Sequence, residues 1–402
     1  MSNNNHLPAI IIPAYQRPYA LRLLLDSLNA AHYPSSEIPL IISLEKDSTK
    51  EVIELAENFA FKSGTKTVIK SEKKLGLKNH ILSCGDYSSE FDSVIVLEDD
   101  LMVAPGFYQF AKSALNFYQN NENIAGISLY SQRFNETALL PFEPQPSSWP
   151  VYFLQLASSW GEAWTSGQWS DFKSWLSNYE KSGNQKLAFM PENMQKWPAN
   201  SWKKVFNQYL IERGKLFVYP YQSYITNNSG FGGTNIKKSA GNLLQVPISS
   251  HYGSGGANFS FPDFGKDSVF YDAFMEYKLP SDQTLSNILT KDIELDLYGQ
   301  KTNAVLKTKK FFISPKTGPT PLLSFPLRMK PIELNIQLNV HFNETAFFHL
   351  YRSEHIDKLC PLTNYQYYQL AEHLSYLPFR TKKFIKGYAV AIFEKIKSRF
   401  MF

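Results

Sequence analysis

The chain has 402 residues, room for two or three domains of ordinary size and for a large core. With 43% hydrophobic and 19% charged residues it is globular rather than disordered, and nucleic acid is not the expected partner, because the basic residues near the C-terminus accompany an apolar stripe rather than a groove-reading motif. Two cysteines, Cys84 and Cys360, exclude a disulfide framework. No run reaches the roughly 18 uncharged apolar residues of a membrane span, and the start MSNNNHLPAIIIPAY lacks the pattern of a signal peptide, so a cytoplasmic location is expected.

The first hundred residues alternate short apolar strands with helical patterns. AIIIPAY (Ala9 to Tyr15) reads as a buried strand, and PYALRLLLDSLNAA carries Leu21, Leu24, Leu25 and Leu28 at helical spacing. IPLIISLE (Ile38 to Glu45) is a second strand, followed by a helix whose capping box is expected at Ser48 and Glu51 and whose stop is expected at Gly64. TKTVIKS, a helix in GLKNHILSCGDY and the strand FDSVIVLEDD complete a βαβ alternation. Such alternation implies a parallel sheet with its ligand site at the carboxyl ends of the strands. GFYQFAKSALNFYQNN then reads as a helix and IAGISLYSQ as a strand, with helices expected around Trp164 to Leu176 and Ser201 to Arg213. From Lys301 the texture changes to a Pro-rich connector, SPKTGPTPLLSFPLRMKP, and a segment without a chemical motif. Residues 301–402 hold 16 Lys and Arg against 6 Asp and Glu, so the basic character lies at that end.

The feature that asks for a function is VIVLEDDLMVAPGFYQF, where an apolar strand stops at three consecutive carboxylates, Glu98, Asp99 and Asp100. Adjacent carboxylates near a buried edge cost free energy unless a cation or hydrogen bonds compensate them. Mg²⁺ and Mn²⁺ take oxygen ligands and are held by one or two carboxylates together with substrate phosphates. Strand alternation would turn Asp100 toward the metal and its neighbour toward ribose or backbone donors. The alternative is a solvated turn or a helix N-terminus, where acidic residues favour the dipole.

This stretch resembles the metal-binding motif of GT-A glycosyltransferases, most closely the N-acetylglucosaminyltransferase I family and its bacterial relatives. IIIPAYQRP, IISLEKD and KWPANSWKKVFNQYLIERGKLFVYPYQSYITNNSGFGG follow in the same order, so the resemblance covers roughly residues 8 to 240. It implies a GT-A fold, a Rossmann-like α/β architecture with a mostly parallel central sheet and helices on both faces, and a nucleoside-diphosphate sugar as donor. It places Pro13, Ala14, Tyr15 and Arg17 at the uridine and diphosphate and Glu45, or Asp47 in a shifted register, at the nucleoside. Lys78 falls at the phosphates, Glu98 and Asp99 at the ribose or sugar, and Asp100 at a Mn²⁺ or Mg²⁺ ion. The loop NNSGFGGTN, with Gly232, looks like one that closes over the donor. After KWP the family pattern runs through a Trp into acidic residues, one of them the catalytic base, whereas this chain has Trp202-Lys203-Lys204.

Inverting transfer needs a carboxylate to take the acceptor proton. Glu162 in LASSWGEAWTSGQW, flanked by Trp160 and Trp164, is the expected base, with Asp171 a weaker choice. His251 is expected as a second metal or phosphate ligand. The tail LPFRTKKFIKGYAVAIFEKIKSRFMF places Ile385, Ile392, Ile396 and Phe400 on one stripe among basic residues. It reads as a membrane-surface helix or as a terminal helix packed on the protein. The expected layout is a nucleotide-sugar-binding half (residues 1–130), an acceptor half (131–300) and a basic C-terminal extension (301–402). The expected activity is metal-dependent sugar transfer to a glycan or lipid-linked glycan, in surface polysaccharide or glycolipid synthesis, on the inner face of the cell membrane. A sugar nucleotidyltransferase and a non-catalytic glycan- or nucleotide-binding relative are the alternatives.

Overall fold

The computed structural model describes residues 7–182, 187–228, 244–249, 259–265, 268–339 and 346–375. The four expected strands of the first hundred residues are β1 (Ala9–Ala14), β2 (Ile38–Leu44), β3 (Gly64–Lys70) and β4 (Ser93–Val96). Between them lie α1 (Pro18–Ala30), α2 (Lys50–Asn58), α3 (Gly76–Asp86) and the single turn α4 (Ser88–Phe91). Pro18 opens α1, where a missing N–H costs nothing. The cap of α2 is Thr49, whose side chain accepts from Val52 N–H, and not Ser48, whose hydroxyl donates to the Glu45 carbonyl. Gly64 is no helix stop; it begins β3, where its bare backbone passes so close to Ile38 that a Cβ would lie 2.0 Å from that residue's carbonyl oxygen.

Beyond the carboxylates come β5 (Leu101–Val103), α5 (Phe107–Tyr118), β6 (Ile124–Ser128), the hairpin β7 (Phe134–Asn135) with β8 (Leu140–Pro141), β9 (Val151–Leu154) and β10 (Glu162–Thr165). Next follow α6 (Ser166–Ser182), α7 (Glu192–Gln195), α8 (Trp202–Arg213), β11 (Leu216–Pro220), β12 (Ile225–Asn227) and β13 (Phe270–Tyr271). Nine strands form one sheet in the order β13-β9-β11-β6-β10-β4-β1-β2-β3. Strands β3, β2, β1 and β4 run parallel, β10 is inserted antiparallel between β4 and β6, and β11 is parallel to β6. The expected fold class, α/β with a mostly parallel central sheet, is therefore the observed one.

Side-chain alternation divides the core in two. Ile10, Ile12, Ile95 and Leu97 face α1, α2 and α5, while Ile11, Val94 and Val96 face α3, α6 and α8. Helices thus cover both faces. Most of the aromatic surplus is core; Phe172 and Phe206, for example, stack with ring centres 4.3 Å apart between α6 and α8.

The hairpin β14 (Thr284–Leu285) with β15 (Ile288–Leu289) leads to a second sheet of four strands, in the order β16-β17-β19-β18. These are β16 (Ile293–Leu295), β17 (Phe311–Ser314), β18 (Leu323–Pro326) and β19 (Ala346–Arg352), with short helices α9 (Asn303–Leu306) and α10 (Leu334–Gln337) and the longer α11 (Asn364–Leu374) around them. The stretch read as a Pro-rich connector contains β18, and the boundary drawn at 300/301 falls inside this sheet. The basic tail from residue 376, with its membrane-surface reading, lies outside the described residues. Among the described residues no helix is long and apolar enough to cross a membrane.

Candidate active site

β1 and β4 are hydrogen-bonded neighbours, so the chain leaving their carboxyl ends meets at one edge of the sheet. From β1 come Tyr15 and Arg17; from β4 come Glu98, Asp99 and Asp100. Strand pairing of β4 ends at Val96, with Leu97 N–H still bonded to the Ile11 carbonyl, and residues 99–100 form a turn closed by Leu101 N–H on the Glu98 carbonyl. The expectation that alternate carboxylates diverge therefore fails, because a turn has no strand alternation. Instead Asp99 and Asp100 converge on one guanidinium. Arg17 Nη2 lies 2.6 Å from Asp99 Oδ1, and Nη1 donates to Asp100 Oδ2.

Both aspartates are almost sealed, at 2% and 4% exposure, while Arg17 keeps 27% of its side chain in solvent. The Tyr15 amide also supports Asp99. Even so, burial pushes Asp99 up to about 6 against the pull of Arg17, and burial together with Asp100 pushes Glu98 up to about 8. Among the described residues Asp100 Oδ1 has no hydrogen-bond partner, and Asp99 Oδ1 meets only the arginine ion pair. The uncommitted Asp100 Oδ1, beside the Asp99 carboxylate that shares the same arginine, fits a Mg²⁺ or Mn²⁺ ion that takes its remaining ligands from phosphates and water. Among the described residues no group of three or more His, Cys, Asp and Glu is arranged to hold a metal on its own.

Glu162 begins β10 directly opposite Val96, so it is a strand residue rather than a first-turn helix residue, and α6 starts only at Ser166. Gly161 before it adopts φ +70°, the left-handed turn that admits the chain into the sheet. Glu162 is 0% exposed and, among the described residues, neither of its oxygens has a hydrogen-bond partner. Burial first, then the charge of Glu98, raises its pKa well above the ordinary range, opposed by Lys203. As folded here it offers no surface to an acceptor hydroxyl.

The two lysines in place of the acidic pattern have separate tasks. Lys204 Nζ donates to the carbonyls of Gln195 and Trp197 at 2.6 and 2.8 Å, closing the end of α7. Lys203 Nζ donates to both oxygens of Glu136 at 2.9 and 3.0 Å and stands over the rings of Trp197 and Trp160 at 5.3 and 5.7 Å. Its charge reaches Glu98 and Glu162, so it balances the carboxylate cluster. Sequence reading passed over Glu136 and saw Lys203 only as a departure. The single signal was the coincidence of a cation with the KWP segment.

Pro13 and Ala14 close the buried end of β1. Glu45 accepts the N–H groups of Lys46, Leu75 and Gly76 at 2.8, 2.9 and 2.7 Å; these bonds outweigh its burial and hold its pKa below the usual carboxylate range. It thereby anchors the start of α3. Lys78, on α3, reaches Glu180 of α6 at 3.5 Å. Asp171 accepts from Tyr209 and pairs with Lys215, away from the carboxylate cluster. Gly232 and His251 lie outside the described residues.

No protein-family model and no curated protein matches the chain. Among solved structures, S. aureus TarS (residues 1–349) aligns at 12% identity over 55% of this chain and 60% of its own, with a TM-score of 0.34. The same protein in complex with UDP-GlcNAc aligns at 13% identity over 56% and 59%, with a TM-score of 0.35. The mannosyltransferase PcManGT from Pyrobaculum calidifontis, in complex with GDP-Man and Mn²⁺, aligns at 12% identity over 42% and 46%, with a TM-score of 0.31. This chain thus spans 60% or less of each of these relatives. At scores this low the likenesses carry no inference about chemistry, and the narrower likeness to the N-acetylglucosaminyltransferase I family rests on its motifs alone.

Proposed function

We propose that the protein is a GT-A-type glycosyltransferase that moves a sugar from a nucleoside diphosphate, UDP first among the candidates, to a hydroxyl of a glycan or lipid-linked glycan. The observation that carries this reading is the convergence of Arg17, Asp99 and Asp100 at the carboxyl edge of adjacent parallel strands, where α/β sheets bind ligands. In this reading Asp100, with Asp99 beside it, holds Mn²⁺ or Mg²⁺, and Arg17 and the Tyr15 region meet the diphosphate. A bound divalent ion there neutralises charge on the departing diphosphate. Inversion at the anomeric carbon is what the motif resemblance adds, and the membrane-facing acceptor depends on the basic tail.

The test is a thermal-shift screen of the full chain against UDP, GDP and CDP with and without Mn²⁺. A nucleotide at ~100 times its dissociation constant adds ~2.7 kcal/mol of stability. The expected result is a metal-dependent shift with one nucleotide that Asp100→Asn abolishes. A shift unchanged in that variant would remove the metal assignment. A second reading, a non-catalytic nucleotide- or glycan-binding protein, draws on the sealing of Glu162 and predicts the same shift without donor turnover.

A further inference from the structure

We propose that Glu136 takes the proton of the acceptor hydroxyl. This inference rests on the glycosyltransferase reading and deepens it. A base must touch the group it deprotonates. In the proposed reading Asp99 and Asp100 hold the metal beside Arg17, and Glu162 has no exposed surface. Glu136 keeps 16% of its side chain open.

Its position follows from the topology. β6 runs in the same direction as β4, since both pair antiparallel with β10, so the segment leaving β6 at Ser128 emerges on the same edge as Asp99 and Asp100. Glu136 lies eight residues along that segment. Lys203 ties the two groups together: it grips Glu136 and its charge acts on Glu98 and Glu162.

The carboxylate is held as a positioned group would be. Gln132 Nε2 donates to Oε1 at 3.3 Å, Asn193 Nδ2 donates to the Glu136 carbonyl at 2.9 Å, and Asn135 Oδ1 accepts the N–H groups of Thr137 and Ala138. Lys203 is itself set between Trp160 and Trp197. A carboxylate oxygen accepts about two hydrogen bonds, and Oε2 receives only the one from Lys203 among the described residues, so one direction stays open. In the reaction the acceptor O–H proton moves to Glu136 Oε2 as the acceptor oxygen bonds to the anomeric carbon. The carbon–oxygen bond to the diphosphate breaks, and its electron pair leaves with the nucleoside diphosphate.

The experiment measures nucleoside diphosphate release by the full chain from UDP-GlcNAc, UDP-glucose and GDP-mannose with Mn²⁺, in water and with methyl glycosides as acceptors. Glu136→Gln and Glu136→Asp are compared with Glu162→Gln, and donor binding is followed by thermal shift. The expected result is a loss of about 10²-fold or more in kcat for Glu136→Gln with the nucleotide shift retained, and partial rescue by Glu136→Asp. An active Glu136→Gln variant overturns the proposal and leaves the glycosyltransferase reading standing, most directly if Glu162→Gln is silent. Nucleotide binding without release from any donor also overturns it. A native chain that neither binds nor turns over nucleotides removes the underlying reading itself.

Discussion

Replacing Arg17 by Met removes the guanidinium that neutralises Asp99 and Asp100 while keeping most of the side chain's stem. Breaking a buried ion pair from one side costs about 3–5 kcal/mol, because the abandoned charge stays buried. Arg17 is 27% exposed and solvent screens part of the effect, so the lower figure, about 3 kcal/mol, is expected. At about 2.1 cal/mol/K per residue, a chain of this length has an unfolding entropy of about 0.8 kcal/mol/K, so Tm should fall by about 4 °C without metal. Mn²⁺ should return more of that loss in the variant than it adds to the native chain, where it must displace the arginine from both carboxylates. Differential scanning calorimetry with and without Mn²⁺ reads both effects. Equal melting of the two proteins without metal, or equal gains from Mn²⁺, would refute the view that Arg17 occupies the cation position.

Lys301→Met should be as damaging at a distance from the site. The ammonium is 1% exposed between Asp272 at 2.5 Å and Glu294, and among the described residues the half-exposed Lys278 is what would remain to balance them, for a loss of about 3–5 kcal/mol by calorimetry. Gly161→Ala should cost about 1–2 kcal/mol for the left-handed backbone alone, and more because its Cβ would stand 2.2 Å from Ile225 Cδ1; an unchanged denaturation midpoint would show the turn to be pliable. Glu333, buried and hydrogen-bonded by Tyr271, is pushed up to about 7 by its burial. Its folded pKa exceeds the unfolded one, so its contribution is complete below about pH 4.5 and is lost as pH rises through 7, a change of about 3 kcal/mol. Glu333→Gln should therefore flatten the decline of Tm between pH 5 and 8, and parallel curves would contradict the assignment.

β1 to β4, β6 and the helices α1, α2, α3 and α5 were legible because each buries a face whose period shows in the sequence: Leu21, Leu24, Leu25 and Leu28 in α1, unbroken apolar runs in β1, β2 and β4. β10 was not. Its four residues begin with a glutamate, carry no alternation and continue into a helix, so the local pattern reads as helix throughout. What makes it a strand is the gap between β4 and β6, which is fixed by chain far away. The carboxylate triplet was visible as a site, but its geometry was not, because a turn replaces the strand at Leu97 and brings both aspartates to one partner. Glu136 carried no signal at all; only the fold sets it against Lys203.

The core on the α3, α6 and α8 face runs without a break into the second sheet, taking in Leu295, Ile313, Phe348 and Leu350. A fragment ending after the nine-stranded sheet would bare this surface and strand Asp272 without its lysine. The minimal piece worth expressing therefore reaches past α11, and a protease that nicks the second sheet should silence the distant carboxylate site along with it.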